Sequence, residues 1–441
     1  MKKRIFTIGL VLTLVLPLFA FDFFFDEGPS RNISFEVETG VQTFVDDWAV
    51  APIANITLKA EQDGANYQAI AELSYDSELN SIEAQELSIS LFMGSVTLKA
   101  GLMRHKWGSA DTASVVDVVN GRDMRRGIID DPDKMKRPDL MLTLTKYWEN
   151  SSVDFVFKPG FNPSLVAMDD SQFSVLDDQT KLLLAANPVD VDALIPNTRE
   201  LQKFSAGARY RFTFDPMDIA LMYYYGYNHD PGFTVQLAFD FSNFPNVTVD
   251  PILGSEVVAF TRHQFIGLSS SLFLEPFTFA LEGGMFLSED SDGTMPELYN
   301  SKLVYLAEIS YTNPSNALFL AFNYQGQMVL NYSADLEPSP TYPWLDTDLM
   351  AAFNYRPYQN NFAVAVEVPF MREKLKVRAA GTYQLESQGF AIMGSTTYEF
   401  SDDVQLYAKS TIYGCSKEER TGMFTTWKDN TWIQVGVRAW F

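Results

Sequence analysis

Arg104, His105, Lys106, Arg122, Arg125 and Arg126 crowd one stretch, RHKWGSADTASVVDVVNGRDMRR, of an otherwise acidic chain. Trp107, Asp111, Asp117, Asn120 and Asp123 lie among them. The 441 residues carry a formal net charge of -23, yet between Arg104 and Arg137 eight Arg or Lys face six Asp. Guanidinium and ammonium groups gathered this way attract anions, and rings of Arg and Lys make pores anion-selective. The competing reading is a loop tied to an acidic wall by Arg–carboxylate pairs, with Glu36, Glu38, Glu72 and Glu86 as the candidate wall. Both can hold at once.

Other chemistry finds little support. His105, His229 and His263 are scattered, and no HExxH, GxSxG, phosphate loop or CxxC is present. No catalytic residue, cofactor or metal site is therefore assigned, and an enzyme is not expected. Glu289-Asp290-Ser291-Asp292-Gly293 offers the hard oxygens that Ca²⁺ prefers. It lacks the rest of a binding loop and reads as a solvated acidic turn. A net negative chain is also a poor ligand for nucleic acid, whose phosphates demand Lys and Arg.

The elements that must position these side chains are strands. In WIQVGVRAWF, Ile433, Val435, Val437, Ala439 and Phe441 share one face, and Gln434, Gly436, Arg438 and Trp440 the other. Ile33, Phe35, Val37 and Val41 alternate with Ser34, Glu36, Glu38 and Gln42; Tyr210 and Phe212 alternate with Arg209 and Arg211. Period-two alternation is the mark of a half-buried strand, and a soluble sandwich shows it too. A final amphipathic strand ending in Phe441 resembles the C-terminal signal that the barrel-assembly machinery recognises in bacterial outer-membrane barrels. Phe441 is thus a candidate assembly signal.

The N-terminus reads as an export signal. Lys2, Lys3 and Arg4 precede the apolar run from Ile5 to Phe19, and Ala20 offers a small-residue cleavage site. The run is short of the roughly 18–20 apolar residues of a spanning helix. Residues 1–20 are expected to be a signal peptide, 21–31 a short periplasmic segment and 32–441 an outer-membrane β-barrel. Cys415 is the only cysteine, so no internal disulfide staples the chain. Aromatic residues make up 14% of the chain, yet mean hydropathy is -0.07. A barrel mixes apolar outward and polar inward residues, which keeps the mean bland.

Connections set the topology. Short ones are expected near 62–64, 94–95, 149–150, 214–216, 275–276, 313–316, 371–373 and 401–402. Longer ones are expected at 106–138, 159–202, 229–255, 288–300, 330–346 and 415–430. Short turns belong on the periplasmic side and long loops outside. If 347–370 is one long, bent strand, this closes as a transmembrane antiparallel barrel of about 18 strands, 16 being the alternative. Both termini are then periplasmic. A barrel of this size is wide enough for an aqueous channel.

The basic segment then falls in a long connection after the strand of Val96, Leu98, Ala100 and Leu102, and Leu140, Leu142 and Leu144 begin the next strand. Loops so long are usually functional or disordered. Val115, Val116, Val118, Val119, Ile128 and Ile129 argue that this one packs, and the inner wall is the available surface. A further expectation is a short helix within 171–187.

The chain here resembles the porin-like outer-membrane barrel proteins of diderm bacteria. The residues that carry the resemblance are Gly101, Arg104, Trp107, Gly108, Asp111, Asp117, Asn120, Asp123, Pro138 and Leu140. Lys158-Pro159-Gly160-Phe161-Asn162-Pro163 adds to it, as do Gly207, Arg209, Tyr223-Tyr224-Tyr225-Gly226 and Pro231. Gly121 stands where these proteins often have Pro. The resemblance implies a conduit for solutes or amphiphiles without naming one. The leading expectation is a channel in the cell outer membrane for passive passage of small hydrophilic solutes. Its constriction would be lined by Arg104, Lys106, Trp107, Asp111, Asp117, Asn120, Arg122, Asp123, Arg125 and Arg126. Its expected partners are those solutes, outer-membrane lipid and the assembly machinery. A conduit for lipid-like molecules and a surface adhesin or structural barrel are the alternatives.

Overall fold

Alternating residues become strands around the whole molecule. The computed structural model describes residues 30–46, 48, 50–129, 131–167, 173–174, 195–233, 236–240, 248–252, 258–294, 298–332, 357–416 and 423–441. The strands of the main sheet in chain order are β1 (Ser30–Phe44), β2 (Val50–Asp63), β3 (Tyr67–Asp76), β4 (Ser81–Met93), β5 (Val96–Met103) and β6 (Asp139–Tyr147). Then come β7 (Ser151–Lys158), β8 (Ser205–Phe214), β9 (Met217–Tyr227), β10 (Arg262–Leu274), β11 (Phe277–Ser288) and β12 (Lys302–Thr312). The ring is completed by β13 (Phe319–Val329), β14 (Tyr358–Phe370), β15 (Leu375–Gln384), β16 (Gly389–Ser401), β17 (Val404–Cys415) and β18 (Trp432–Trp440).

Each strand pairs antiparallel with its neighbours in sequence, and β1 also pairs with β18, from Glu36 opposite Trp440 to Phe44 opposite Trp432. The 18-stranded sheet is therefore a closed barrel. Closure leaves no edge strand with unpaired backbone groups. Phe441 takes part, because Phe35 and Phe441 exchange N–H···O bonds of 3.0 and 2.9 Å.

The eight expected short turns all join strands at one end of the barrel. At the other end lie the long connections and three tight ones that the sequence did not reveal, at 45–49, 77–80 and 385–388. The 77–80 turn shows why. It has neither Gly nor Pro; Asp76 Oδ1 instead accepts the N–H groups of Glu78 and Leu79 at 2.9 and 3.1 Å, and Asn80 takes the left-handed conformation at φ 45°. The strand expected at 347–370 is seen from Tyr358 onward, and 347–356 lies outside the described residues. So do residues 1–29 and, apart from 173–174, the helix expected at 171–187.

The two faces differ sharply. On β6, Leu140, Leu142 and Leu144 are exposed while Met141 and Thr143 are buried. Ile33, Phe212, Leu221, Ile266, Leu268, Phe322, Val364 and Ile433 continue an apolar belt around the outside. Such a belt is a liability in water, but it matches bilayer hydrocarbon, which a closed barrel can span with every backbone group paired. The inner face carries Gln62, Ser88, Thr143, Ser269, Glu282, Glu308, Asn323, Thr411 and Gln434. The candidate acidic wall needs correcting here. Glu36 and Glu38 pair with Arg438 at 2.9 and 3.2 Å, Glu38 also meets Lys409 at 3.4 Å, and Glu86 pairs with Lys99 at 2.7 Å. Among the described residues, none of Glu36, Glu38, Glu72 and Glu86 forms an ion pair with the long loop; cations on nearby strands hold Glu36, Glu38 and Glu86 instead.

Candidate pore constriction

The connection 104–138 turns into the barrel, and Asn120 draws its two ends together. The Asn120 side chain accepts from the His105 N–H at 2.8 Å and donates to the Arg137 carbonyl at 2.8 Å. Trp107 anchors the first turn. It is 1% exposed, its indole N–H reaches Asp154 of β7 at 3.2 Å, and its ring meets Tyr224 edge-on at 6.0 Å. Asp154 also meets His105 Nε2 at 2.6 Å, and Arg209 of β8 donates to the carbonyls of Lys106 and Trp107 at 3.1 Å. Gly207 makes this possible: a Cβ there would lie 2.5 Å from the indole. Val116 and Val119 then fill a cluster with Met103, Met141, Val156, Met222 and Phe265. Full burial of a Val is worth roughly 1.5–3 kcal/mol, so this packing adds to the hold of the polar contacts.

Beyond Trp107 the loop runs along the wall to β11 and β12, where two carboxylates capture its backbone. Glu282 of β11 accepts the N–H groups of Ser109, Ala110 and Val115 at 2.7, 3.1 and 3.0 Å, and the Ser114 hydroxyl at 2.7 Å. Glu308 of β12 accepts the N–H groups of Asp111 and Thr112 at 2.7 and 3.1 Å, and the Thr112 hydroxyl. Asn323 of β13 donates to Thr112 Oγ1 at 3.0 Å. Burial, then the nearby Glu308 carboxylate, push the Asp111 carboxyl above its ordinary range.

The return limb reaches the opposite wall. Arg126 pairs with Asp76 at the end of β3 at 2.6 Å, and Arg125 pairs with Glu83 of β4 at 2.9 Å and with Asp123. Burial opposes ionisation of Asp123, but the Arg125 hydrogen bond and charge outweigh it and hold the carboxyl below its ordinary range. The Ile128 N–H meets the Tyr413 hydroxyl of β17 at 3.2 Å.

A second loop, 159–204, locks onto the first. The ammonium of Lys158, fully buried at the end of β7, donates to the Val119 carbonyl, Asp139 and His229 Nε2 at 2.5, 2.7 and 2.8 Å. All three of its donors are used. Burial, and then the Lys158 charge, hold the His229 imidazole far below its ordinary value, so it is neutral and accepts through Nε2. Asn162 binds Asp139 through its N–H and the Pro138 carbonyl through its amide, both at 2.7 Å. Gly121 settles the local turn: a Cβ there would lie 2.8 Å from the Asn162 carbonyl, so the crossing of the two loops excludes a larger residue.

This architecture has known counterparts in shape. No known protein family and no curated protein sequence matches the chain. Among solved structures, OccK5 (OpdH) of Pseudomonas aeruginosa is similar, with 10% identity over 93% of this chain and 98% of that one and a TM-score of 0.50. A mutant of the Rhodopseudomonas blastica porin aligns at 12% identity over 93% of this chain and 100% of that one, with a TM-score of 0.41. At 10% identity the likeness to OccK5 is one of fold, and it agrees with the closed barrel seen here.

The segment singled out in the sequence is thus brought together inside the barrel, but its members do different things. Trp107 and Asn120 are buried fasteners. Asp117 accepts the Trp107 N–H at 3.1 Å and pairs with Lys136. Arg104 donates to Gln85 and to the Lys136 carbonyl, and Lys106 meets Asp133 at 3.2 Å. Arg122 differs: its guanidinium has no hydrogen bond or ion pair among the described residues. It borders a cavity of about 330 Å³ between the loop and the wall of β10 to β14, which His229, His263, Lys302, Gln325 and Asn361 also line. The sequence alone did not single out Glu282, Glu308, Asp139 or Lys302, and it showed Lys158 only as part of a motif with no role. The legible signal for the two glutamates was a lone carboxylate inside an apolar strand, in FTFALEGGMF and KLVYLAEISY.

Proposed function

We propose that this protein is an outer-membrane channel for passive passage of small hydrophilic solutes, narrowed by the loop 104–138. The observation that carries this reading is the closed barrel with an apolar outer belt, a polar inner wall and a long loop docked across its interior. The polar wall favours hydrophilic cargo over lipid. Residues 1–20 serve as a cleaved export signal, both termini lie on the periplasmic side with the short turns, and Phe441 is read by the assembly machinery. The test is reconstitution: purified protein in planar bilayers should insert in discrete conductance steps, and proteoliposomes should swell in small sugars. A barrel that carries no current and gives no swelling would overturn the reading.

A further inference from the structure

The cavity beside Arg122 has an unusual charge arrangement. Arg122 presents up to five N–H donors with no partner among the described residues. Lys302 at the start of β12 faces the same space and is repelled by Arg122. Its ammonium donates to Gln327 at 3.1 Å, lies 5.2 Å from the Phe286 ring centre, and has no ion pair within 4 Å among the described residues. Two acids also border the cavity. Asp117 is taken by Lys136 and the Trp107 N–H, and Asp230 attracts Lys302. His229 is neutral. His263 leaves its Nε2 buried with no hydrogen-bond partner. Two cations facing one space repel each other, and an anion placed between them turns that repulsion into attraction.

The wall opposite the loop supplies the second half of a site. Gln325 of β13 and Asn361 of β14 face each other in register, and neither side chain has a hydrogen-bond partner among the described residues. Free carboxamides both donate and accept, as hydroxyl groups do. The volume, about 330 Å³, falls at the small end of the roughly 300–1,000 Å³ typical of small-molecule sites.

We propose that this cavity is a transit site for small hydroxylated organic anions. The carboxylate or phosphate sits between Arg122 and Lys302, and the hydroxyls rest on Gln325 and Asn361. This deepens the channel reading and rests on it. Bound solute held this way is concentrated in the lumen yet free to leave, since conduction needs binding strong enough to enter and weak enough to release.

The experiment is current block in planar bilayers with gluconate, glucose 6-phosphate and glucose as probes. Gluconate should interrupt the current in a concentration-dependent way, and glucose should not. Arg122→Gln and Lys302→Gln should each raise the half-blocking concentration at least tenfold, while Arg372→Gln, in a turn at the far end, should leave it unchanged. Stronger block by glucose 6-phosphate than by gluconate assigns the site to phosphates, and the reverse assigns it to carboxylates. Equal effects of gluconate and glucose, or full block in both cavity variants, would overturn the proposal while leaving the channel standing. A barrel that never conducts fails as a channel, and calorimetric titration of gluconate into the detergent-solubilised protein then reads the site alone.

Discussion

At the scale of single residues, Glu282 and Glu308 decide where the loop rests. Each carboxylate oxygen serves donors on a different part of the tip. Glu282→Gln replaces one acceptor by an N–H group that faces other donors. Hydrogen bonds to charged groups are worth roughly 1.5–3 kcal/mol each, so this variant should release the tip and raise single-channel conductance. Unchanged conductance would show that the tip does not obstruct the path. His229 adds a pH dependence whose sign is fixed. Docked, the imidazole stays neutral because burial and Lys158 hold it far below its ordinary value; undocked, it titrates near 6.5. The undocked state therefore binds more protons as pH falls below about 6.5, and docking weakens in that direction. Loop docking should be strongest above that pH, with current fluctuations growing between pH 7 and 5; His229→Gln should flatten that change. Arg122, Asn120 and Trp107 were visible in the sequence as a cluster, but which cation stays unpaired was not. Pairing depends on acids such as Asp76 and Glu83, which only the folded ring brings near.

At the scale of elements, strands and short turns were legible because a half-buried strand must alternate and a tight turn usually needs Gly, Pro or Asp. The 77–80 turn escaped because Asp76 caps it from the end of a strand, outside the turn itself. The docking of loop 104–138 was legible only as an apolar content that needed a partner. Its seat depends on a residue far away, Gly207, whose missing side chain is the space Trp107 fills. Gly207→Val should therefore evict the indole while leaving β8 paired. Trp fluorescence should shift to longer wavelength and protease should cut within 104–138, with far-ultraviolet circular dichroism unchanged. A protected loop in that variant would place its anchoring in the polar contacts alone.

At the scale of the whole molecule, the outer belt and the inner wall make opposite demands on substitution. An Arg at a lipid-facing position near the midplane costs roughly 2–4 kcal/mol. Leu142→Arg, on the exposed face of β6, should lose about that much in reversible urea unfolding from liposomes. A negligible loss would argue that this face does not meet hydrocarbon. The ring also gives the docked loop a mechanical meaning. Arg126 fastens it to β3 and Glu308 fastens it to β12, and these strands stand half a circumference apart in the 18-membered ring. A thin hoop yields most easily by flattening into an ellipse. A cross-brace fixed at both ends of one diameter stiffens it against that mode, so a loop docked in this way also keeps the ring round under lateral pressure.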